Sequence, residues 1–453
     1  MLSLRALCYI FYEIKQWSRD LAYSYNITTS KKDTKANICL FSCHTILTIV
    51  DLFISTFLVA YIFQYCATTS EYIVAVGQFY ITNYAFNFFA ILLISYIVER
   101  TNRVWMYRFS LVIELGVVLV AIFLGDKIAT LAWAGGLMRG VFESFYYSSY
   151  NVLKQEMVSR TSMQRFAVLL QVISKIVNIV VPIVLGTLIE VSTYSNIAIY
   201  IAMICGIQIA LSFGVKAHKP DGSKFRLVGY NKELSQQPKA KSVMRYIYLG
   251  CILYGFTTCI SVLVNICVMF QYGSTMSLGA ITSIIAVVTM VVILLIGKFT
   301  HAGKRSWMFI FSACLPFIGA LSFVIFPGKV TLIIYNLCVS IANVIYAAIF
   351  DVYRNGNLKE LNLYSQITEH QALAEMCFCF SRVISFGTIM LLGTIGNMMA
   401  FYVALVVFTL FASAMLVYLL VYEKKYLSIS QNSVDKIKNS AIIEIGGENN
   451  GNN

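Results

Sequence analysis

Apolar runs of about twenty residues, parted by short polar breaks, succeed one another from residue 39 to residue 422. A helix needs about 20 mostly apolar residues to cross the hydrocarbon core of a bilayer, and it satisfies its own backbone while doing so. Windows of that length predict about twelve spans, at 39–64, 72–97, 107–125, 129–152, 165–189, 195–214, 245–271, 276–297, 306–326, 330–351, 371–395 and 399–422. The fold class that follows is an all-α polytopic membrane protein.

One long polar connection, 215–244, interrupts the series after the sixth span. Its Pro220, Asp221, Gly222 and Pro238, together with seven Lys or Arg, mark it as a linker rather than a span. The predicted organisation is therefore a six-helix bundle over 39–214, the linker, and a second six-helix bundle over 245–422, with tails at 1–38 and 423–453. In the first tail Leu4, Leu7, Phe11, Ile14 and Trp17 recur at helical spacing, as in a helix lying along a membrane surface. A solvated tail is the alternative. The mixture of charge and apolar residues there lacks the small-residue cleavage site of a signal peptide.

Composition supports lipid as the solvent. Hydrophobic residues make up 59% of the chain, charged residues 12%, and only 5 of 453 residues are proline. The formal charge of +13 is spread between apolar runs instead of gathered in one domain, so it speaks for membrane topology and not for nucleic acid. The 12 cysteines lack zinc-ligand spacing and fall mostly inside apolar runs, where a thiol packs as a small hydrophobe. There is no phosphate-binding Gly-rich Lys loop, and with 4 histidines no metal site is expected. These features predict neither an enzyme nor a bound cofactor.

Basic residues near span ends are retained in the cytoplasm. With both termini placed inside, Lys127 and Lys329 alone fall outside and Arg139, Lys175 and Arg382 fall in mid-span, which leaves 29 of the 34 basic residues on the inner side. The predicted location is a cell membrane, bacterial and plasma in type, with both termini cytoplasmic.

The two bundles carry traces of one another. Ser174-Lys175-Ile176-Val177 is followed by Leu185-Gly186-Thr187 in the fifth span, and Ser381-Arg382-Val383-Ile384 by Leu392-Gly393-Thr394 in the eleventh, both at an offset of 207. Upstream, Tyr150-Asn151-Val152 with Lys154 parallels Phe350-Asp351-Val352 with Arg354 at an offset of 200. Spans five and eleven run in the same direction, so the repeats are parallel, related by an axis along the membrane normal. This arrangement resembles the major facilitator superfamily. The loop between spans two and three adds to the resemblance. The family pattern Gly-x-x-x-Asp-Arg-x-Gly-Arg-Arg meets Ser95-Tyr96-Ile97-Val98-Glu99-Arg100-Thr101-Asn102-Arg103 here, with a weaker echo from Gly297 to Arg305. The resemblance implies a cytoplasmic gate or helix tether at Glu99, Arg100 and Arg103, although both glycines of the first copy are replaced. The stretch Ile367-Thr368-Glu369-His370 to Glu375, followed by Arg382, is similar to the YqgE-type group of bacterial transporters within that superfamily.

An ionisable side chain in mid-bilayer costs on the order of 2.5 to 3.5 kcal/mol on insertion scales, so each needs a partner or a wet cavity. Asp51, Arg139, Glu143 and Lys175 all fall about ten residues deep, and the resembled fold brings spans one, four and five together around a central cavity. Arg139 and Glu143 are four apart on one helix face and can pair. Either that pair only pins the helices, or Asp51 or Glu143 carries a coupling proton, with Glu375 the matching acid of the second bundle. Lys175 and Arg382 stand as paired cations that suit an anionic substrate group; the alternative pairs Lys175 with Asp51 and Arg382 with Glu375. Tyr146, Tyr147, Asn178 and Asn343 are expected to line the cavity. Glu114 reads as a structural partner, and His44 as a hydrogen-bonded packing residue or a proton relay.

The function expected is that of a monomeric secondary transporter, moving a small or amphipathic solute by alternating access, coupled to protons and surrounded by membrane lipids. A lipid or glycolipid flippase on the same fold and a non-transporting membrane sensor are the alternatives.

Overall fold

The computed structural model describes residues 31–157, 160–216, 225–299, 305–361, 363, 366–396, 399–415, 417–418 and 421. The tail helix expected around Leu4 to Trp17, the tail after 422 and the centre of the loop from Gly297 to Arg305 lie outside them. All regular structure among the described residues is helical.

Helix α1 consists of three joined stretches, Lys31–Leu52, a π-helical turn Phe53–Phe57, and Leu58–Gln64. The first bundle continues with α2 (Thr69–Arg100), α3 (Arg103–Leu124), α4 (Ala132–Met157), α5 (Arg160–Val191) and α6 (Tyr194–Ser212). The second contains α7 (Pro238–Tyr272), α8 (Thr275–Phe299), α9 (Arg305–Ile325), α10 (Lys329–Glu360), α11 (Ile367–Ile395) and α12 (Met399–Met415). Eight of these helices have a stretch long and apolar enough to cross a membrane, and three more have shorter apolar stretches. With the polar α4 the order is consistent with twelve spans. Side chains such as Phe89, Leu93, Phe123 and Ile207 stand exposed on the outside of the helices, where only lipid tails would offset them.

The short breaks between helices have local causes. The Thr68 hydroxyl accepts from the Glu71 amide at 3.1 Å to start α2, and the Asn102 carboxamide accepts from the Val104 amide at 3.1 Å to start α3. Gly273 and Gly396, at φ +65° and +71°, end α7 and α11 in a left-handed conformation that other residues resist. Helix α7 starts seven residues before the expected span, because Pro238 occupies its first turn, where a missing amide hydrogen costs nothing.

The linker is not a bare connection. It holds a helix, Leu227–Gln236, which docks on the second bundle through the wholly buried Tyr230. The Tyr230 and Tyr248 hydroxyls lie 2.8 Å apart, and Tyr248 reaches Nδ1 of His370 at 3.2 Å. The Arg226 amide donates to Glu369 at 2.7 Å.

The bundles meet chiefly along α2 against α11 and α5 against α8. At the end of the molecule opposite the linker these contacts are made by glycine. A Cβ at Gly186 would stand 2.7 Å from the Thr275 carbonyl oxygen, and one at Gly279 would stand 2.2 Å from that of Pro182. Across the other seam a Cβ at Gly393 would meet Ile73 at 2.8 Å and one at Gly77 would meet Met390 at 2.9 Å. Small residues let helix backbones approach closely where lipid provides no hydrophobic drive. Gly186 and Gly393 are the repeat-related glycines of the two Leu-Gly-Thr triplets, so the duplication has put one glycine into each seam. The same symmetry extends to polar contacts: the Ser70 hydroxyl donates to the Gly393 carbonyl at 2.5 Å and the Thr275 hydroxyl to that of Gly186 at 3.4 Å. The Glu190 carboxylate also accepts from the Thr275 and Ser274 hydroxyls, at 2.8 and 3.2 Å, and from the Met276 amide at the start of α8. Tyr72 of α2 and Phe63 of α1 close against Phe270 of α7.

Candidate functional site: a charged cavity between the bundles

Below this seal, toward the linker end, the two bundles enclose a cavity of about 680 Å³ that opens into a second chamber of about 500 Å³. The charged chamber draws its lining from α1, α2, α4 and α5 of the first bundle and α7, α10 and α11 of the second. Ser55, Tyr80, Tyr84, Lys175 and Tyr254 line both chambers.

On α4 the positions 139, 143, 147, 150 and 154 fall within one helical stripe and all reach the cavity. Arg139 is the centre of an ion cluster. Its Nε donates to Glu143 Oε1 at 3.0 Å, and an Nη donates to Asp51 on α1. Asn83 of α2 donates to the same Glu143 oxygen at 3.3 Å. Two carboxylates thus share one guanidinium, an arrangement with one formal negative charge in excess. Asp51 is the member turned to open space, with 31% of its side chain exposed against 8% for Arg139.

Lys175 and Arg382, the repeat-related cations, both line the charged chamber, one from each bundle. Neither is matched by an acid in the way either pairing expected from the sequence would have it. Asp51 is taken by Arg139, and Glu375 lies 3.8 Å from Arg354 of α10. Arg382 donates to the Thr258 hydroxyl at 3.2 Å and lies over the Tyr84 ring at 4.8 Å. Among the described residues no acid lies within ion-pair distance of Lys175 or Arg382.

The structure places Tyr147 and Glu375 in the charged chamber and Asn178 and Asn343 in the second one. Tyr146 is a correction. It is fully buried inside the first bundle, bonded to His44 at 2.9 Å and stacked against Tyr150, because its position on α4 turns it toward α1 and α3 and away from the cavity stripe. His44 itself borders the cavity, whereas Glu114 is buried in the first bundle away from both chambers. At the linker end Arg103 pairs with Glu99 at 2.6 Å, and the Thr368 hydroxyl of α11 donates to the other Glu99 oxygen at 3.5 Å, so this pair joins the bundles. Arg100 takes no part in that contact; it is exposed and lies over the Tyr96 ring at 4.3 Å.

Sequence reasoning left out Lys154 and Arg354 as site residues, yet both line the charged chamber. The signal was present in the repeat at offset 200, which pairs these two cations as the offset of 207 pairs Lys175 with Arg382.

A family model described as Major Facilitator Superfamily matches residues 38–355, well over half of the chain. The protein belongs to the major facilitator superfamily. A member of this superfamily is a multi-pass membrane transporter rather than an enzyme, and solved transporter structures share the fold. A bacterial homologue of the human lysosomal transporter Spinster, in an inward-facing and unoccupied conformation, matches with a TM-score of 0.60 at 11% identity, over 88% of this chain and 98% of its own. A bacterial homologue of the iron transporter ferroportin, in an inward-facing state, gives 0.61 at 13% identity, over 86% and 99%. A POT family transporter in complex with 5-aminolevulinic acid gives 0.63 at 12% identity, over 86% and 96%. No curated protein matches the chain. As a superfamily member the chain carries its cavity where two repeats meet.

Proposed function

We propose that the chain is a proton-coupled secondary transporter that moves a small solute by alternating access. The observation that carries this reading is the cavity between the bundles, lined from both sides and closed at one end by contacts between the bundles themselves. Rocking one bundle against the other would open those contacts and close the linker end about the Glu99–Thr368 contact already made there. The excess of basic residues favours a cytoplasmic linker end, with both termini on that side and the glycine seal facing outward. The working unit is a monomer in its lipid surround.

Asp51, Arg139 and Glu143 supply the coupling. A proton on Asp51 removes the excess negative charge and frees an Arg139 donor; its departure restores the shared ion pair, so proton occupancy and α1–α4 contact change together. Glu375, beside Arg354, is the corresponding acid of the second bundle. The charged lining favours a polar solute over a lipid, which gives less support to a flippase.

Reconstituted protein under an imposed pH gradient tests the reading. Gradient-driven accumulation is expected in the parent and absent in Asp51→Asn or Glu143→Gln, with exchange of solute down its own gradient retained. Full coupling in both variants would exclude these carboxylates as the proton site.

A further inference from the structure

The lining of the two chambers is unlike in a way that bears on the solute. The charged chamber presents five cations, Arg139, Lys154, Lys175, Arg354 and Arg382, against three carboxylates, Asp51, Glu143 and Glu375. All three carboxylates are committed, two to Arg139 and one to Arg354. Lys175 and Arg382 remain as cations without a counter-ion among the described residues, one from each bundle. Holding two such charges away from bulk water is costly unless a bound anion neutralises them.

The second chamber has no other charge in its lining than Lys175. Its other polar lining is side-chain amides and hydroxyls, among them Asn178, Asn265, Asn336 and Asn343, set between aliphatic side chains such as Val262 and Ile285. Asn178 donates to the Ser174 carbonyl at 2.7 Å, and Asn336 accepts from Ser340 at 3.4 Å. Asn265 and Asn343 have no hydrogen-bond partner among the described residues. An acyl chain placed there would strip water from these amides and return nothing, at a cost of about 1–3 kcal/mol for each buried group left unpaired. Lys175 stands at the junction of the chambers, and Arg382 is tied to Thr258, which lines the second one.

We propose that the transported solute is a small hydroxylated organic anion, its carboxylate or phosphate held between Lys175 and Arg382 and its uncharged hydroxyl-bearing body seated among Asn265, Asn343 and their neighbours. The proposal rests on the transport reading of the same cavity, and it narrows that reading from a small or amphipathic solute to a polar anion. Lys175 and Arg382 select charge; the asparagines select against a bare hydrocarbon body.

Binding to the full-length purified chain in nanodiscs, measured by calorimetry without any gradient, tests the class. The probes are gluconate and glucose 6-phosphate as hydroxylated anions, sorbitol as the neutral counterpart, glucosamine as the cation and hexanoate as the bare acyl anion. At least one hydroxylated anion is expected to bind about 10-fold or more tightly than sorbitol, glucosamine and hexanoate, the ratio of the first two reporting whether carboxylate or phosphate fits. Lys175→Met and Arg382→Met are each expected to weaken that anion by about 10-fold, and Lys175→Arg to restore most of it, which separates lost charge from lost folding. Asn343→Leu should weaken the hydroxylated anion and tighten hexanoate, because the amide that an acyl chain would leave unpaired is gone. The proposal is overturned if neither hydroxylated anion binds, if sorbitol or glucosamine binds as tightly, or if both Met variants keep parental affinity. The transport reading fails separately: an anion that binds as described but crosses no reconstituted membrane under any gradient keeps the class and removes the transporter. Gradient-driven flux of a neutral solute alone does the reverse.

Discussion

Gly279→Ala and Gly136→Ala place the same methyl group against the same kind of obstacle in two different seams. At Gly279 the new Cβ would stand 2.2 Å from the Pro182 carbonyl oxygen, across the boundary between the bundles. At Gly136 it would stand 2.1 Å from the Phe79 carbonyl oxygen, between α4 and α2 of one bundle. Ordinary contact begins at 3.4 Å, so in both cases a helix backbone must retreat by more than an ångström. Overpacking of that kind costs about 1–3 kcal/mol. Within a bundle the cost falls on every folded conformation, whereas between bundles it falls only on the conformation in which the seam is shut. Gly279→Ala should therefore shift the ratio of shut to open by about 5–150-fold while leaving thermal stability nearly intact. Gly136→Ala should lower thermal stability and leave that ratio alone. A cysteine at Asn265, in a chain stripped of its native thiols, reports the difference through its rate of reaction with a membrane-impermeant reagent added on the side of the seal. Equal rates in the two variants, or a Gly279→Ala chain that is less stable yet no more reactive, would refute the idea that the glycine seam is what holds this end shut.

Gly186→Ala should open the same end more than Gly393→Ala, because Gly186 faces the Thr275 carbonyl and Gly393 the side chains of Ile73 and Val74; the Asn265 reporter ranks them. Arg139→Met strands two carboxylates and should destabilise the fold by about 3–5 kcal/mol, a loss expected to be partly recovered when Asp51→Asn and Glu143→Gln are added; thermal unfolding reads both. Glu190→Gln weakens the charge at the start of α8 and should raise Asn265 reactivity by a small factor, in keeping with about 0.3–1 kcal/mol for a carboxylate at a helix N-terminus. Burial pushes the Tyr230 phenol from its ordinary value near 10 up to about 12. Its neutral form is the one that docks, so the contribution is whole below pH 10 and is lost as pH rises through about 12. A spin label on the linker helix should become mobile across that range, and Tyr230→Phe should remove the step.

The depth of each charge along its helix was legible in the sequence, since span ends are marked by basic residues and polar breaks. Asp51, Arg139, Glu143, Lys175 and Arg382 all reach the cavity for that reason. Direction around the helix was less legible. Tyr146 and Tyr147 are neighbours in sequence, but only Tyr147 falls on the stripe shared with Arg139 and Glu143. Partner choice was less legible still, because Arg139 is within reach of one acid on its own helix and another on α1, and only three-dimensional placement shows that it takes both. The parallel repeat carried more than was drawn from it. Lys154 and Arg354 were visible as a matched pair, and the Leu-Gly-Thr triplets were visible without any hint that their glycines form the seams. The docked linker helix did carry a signal, Leu227, Tyr230 and Leu234 at helical spacing among polar residues, but it is only ten residues long and sits among Pro, Gly and charge that mark a linker.

The π-helical turn Phe53–Phe57 follows Asp51 by two residues. A wider turn holds one residue more than an α-turn, and each residue of a helix accounts for about 100° of rotation. If that surplus residue migrates along α1, the stretch it passes swivels by roughly that angle while the hydrogen-bonded rod stays continuous. Asp51 sits on one side of the swivel with Arg139, and Phe63, which closes against Phe270, sits on the other. Helix α1, which carries Asp51, thus has a gear tooth built into it, between the ion cluster and the seal, through which the state of one can be geared to the shape of the other without bending or breaking the rod.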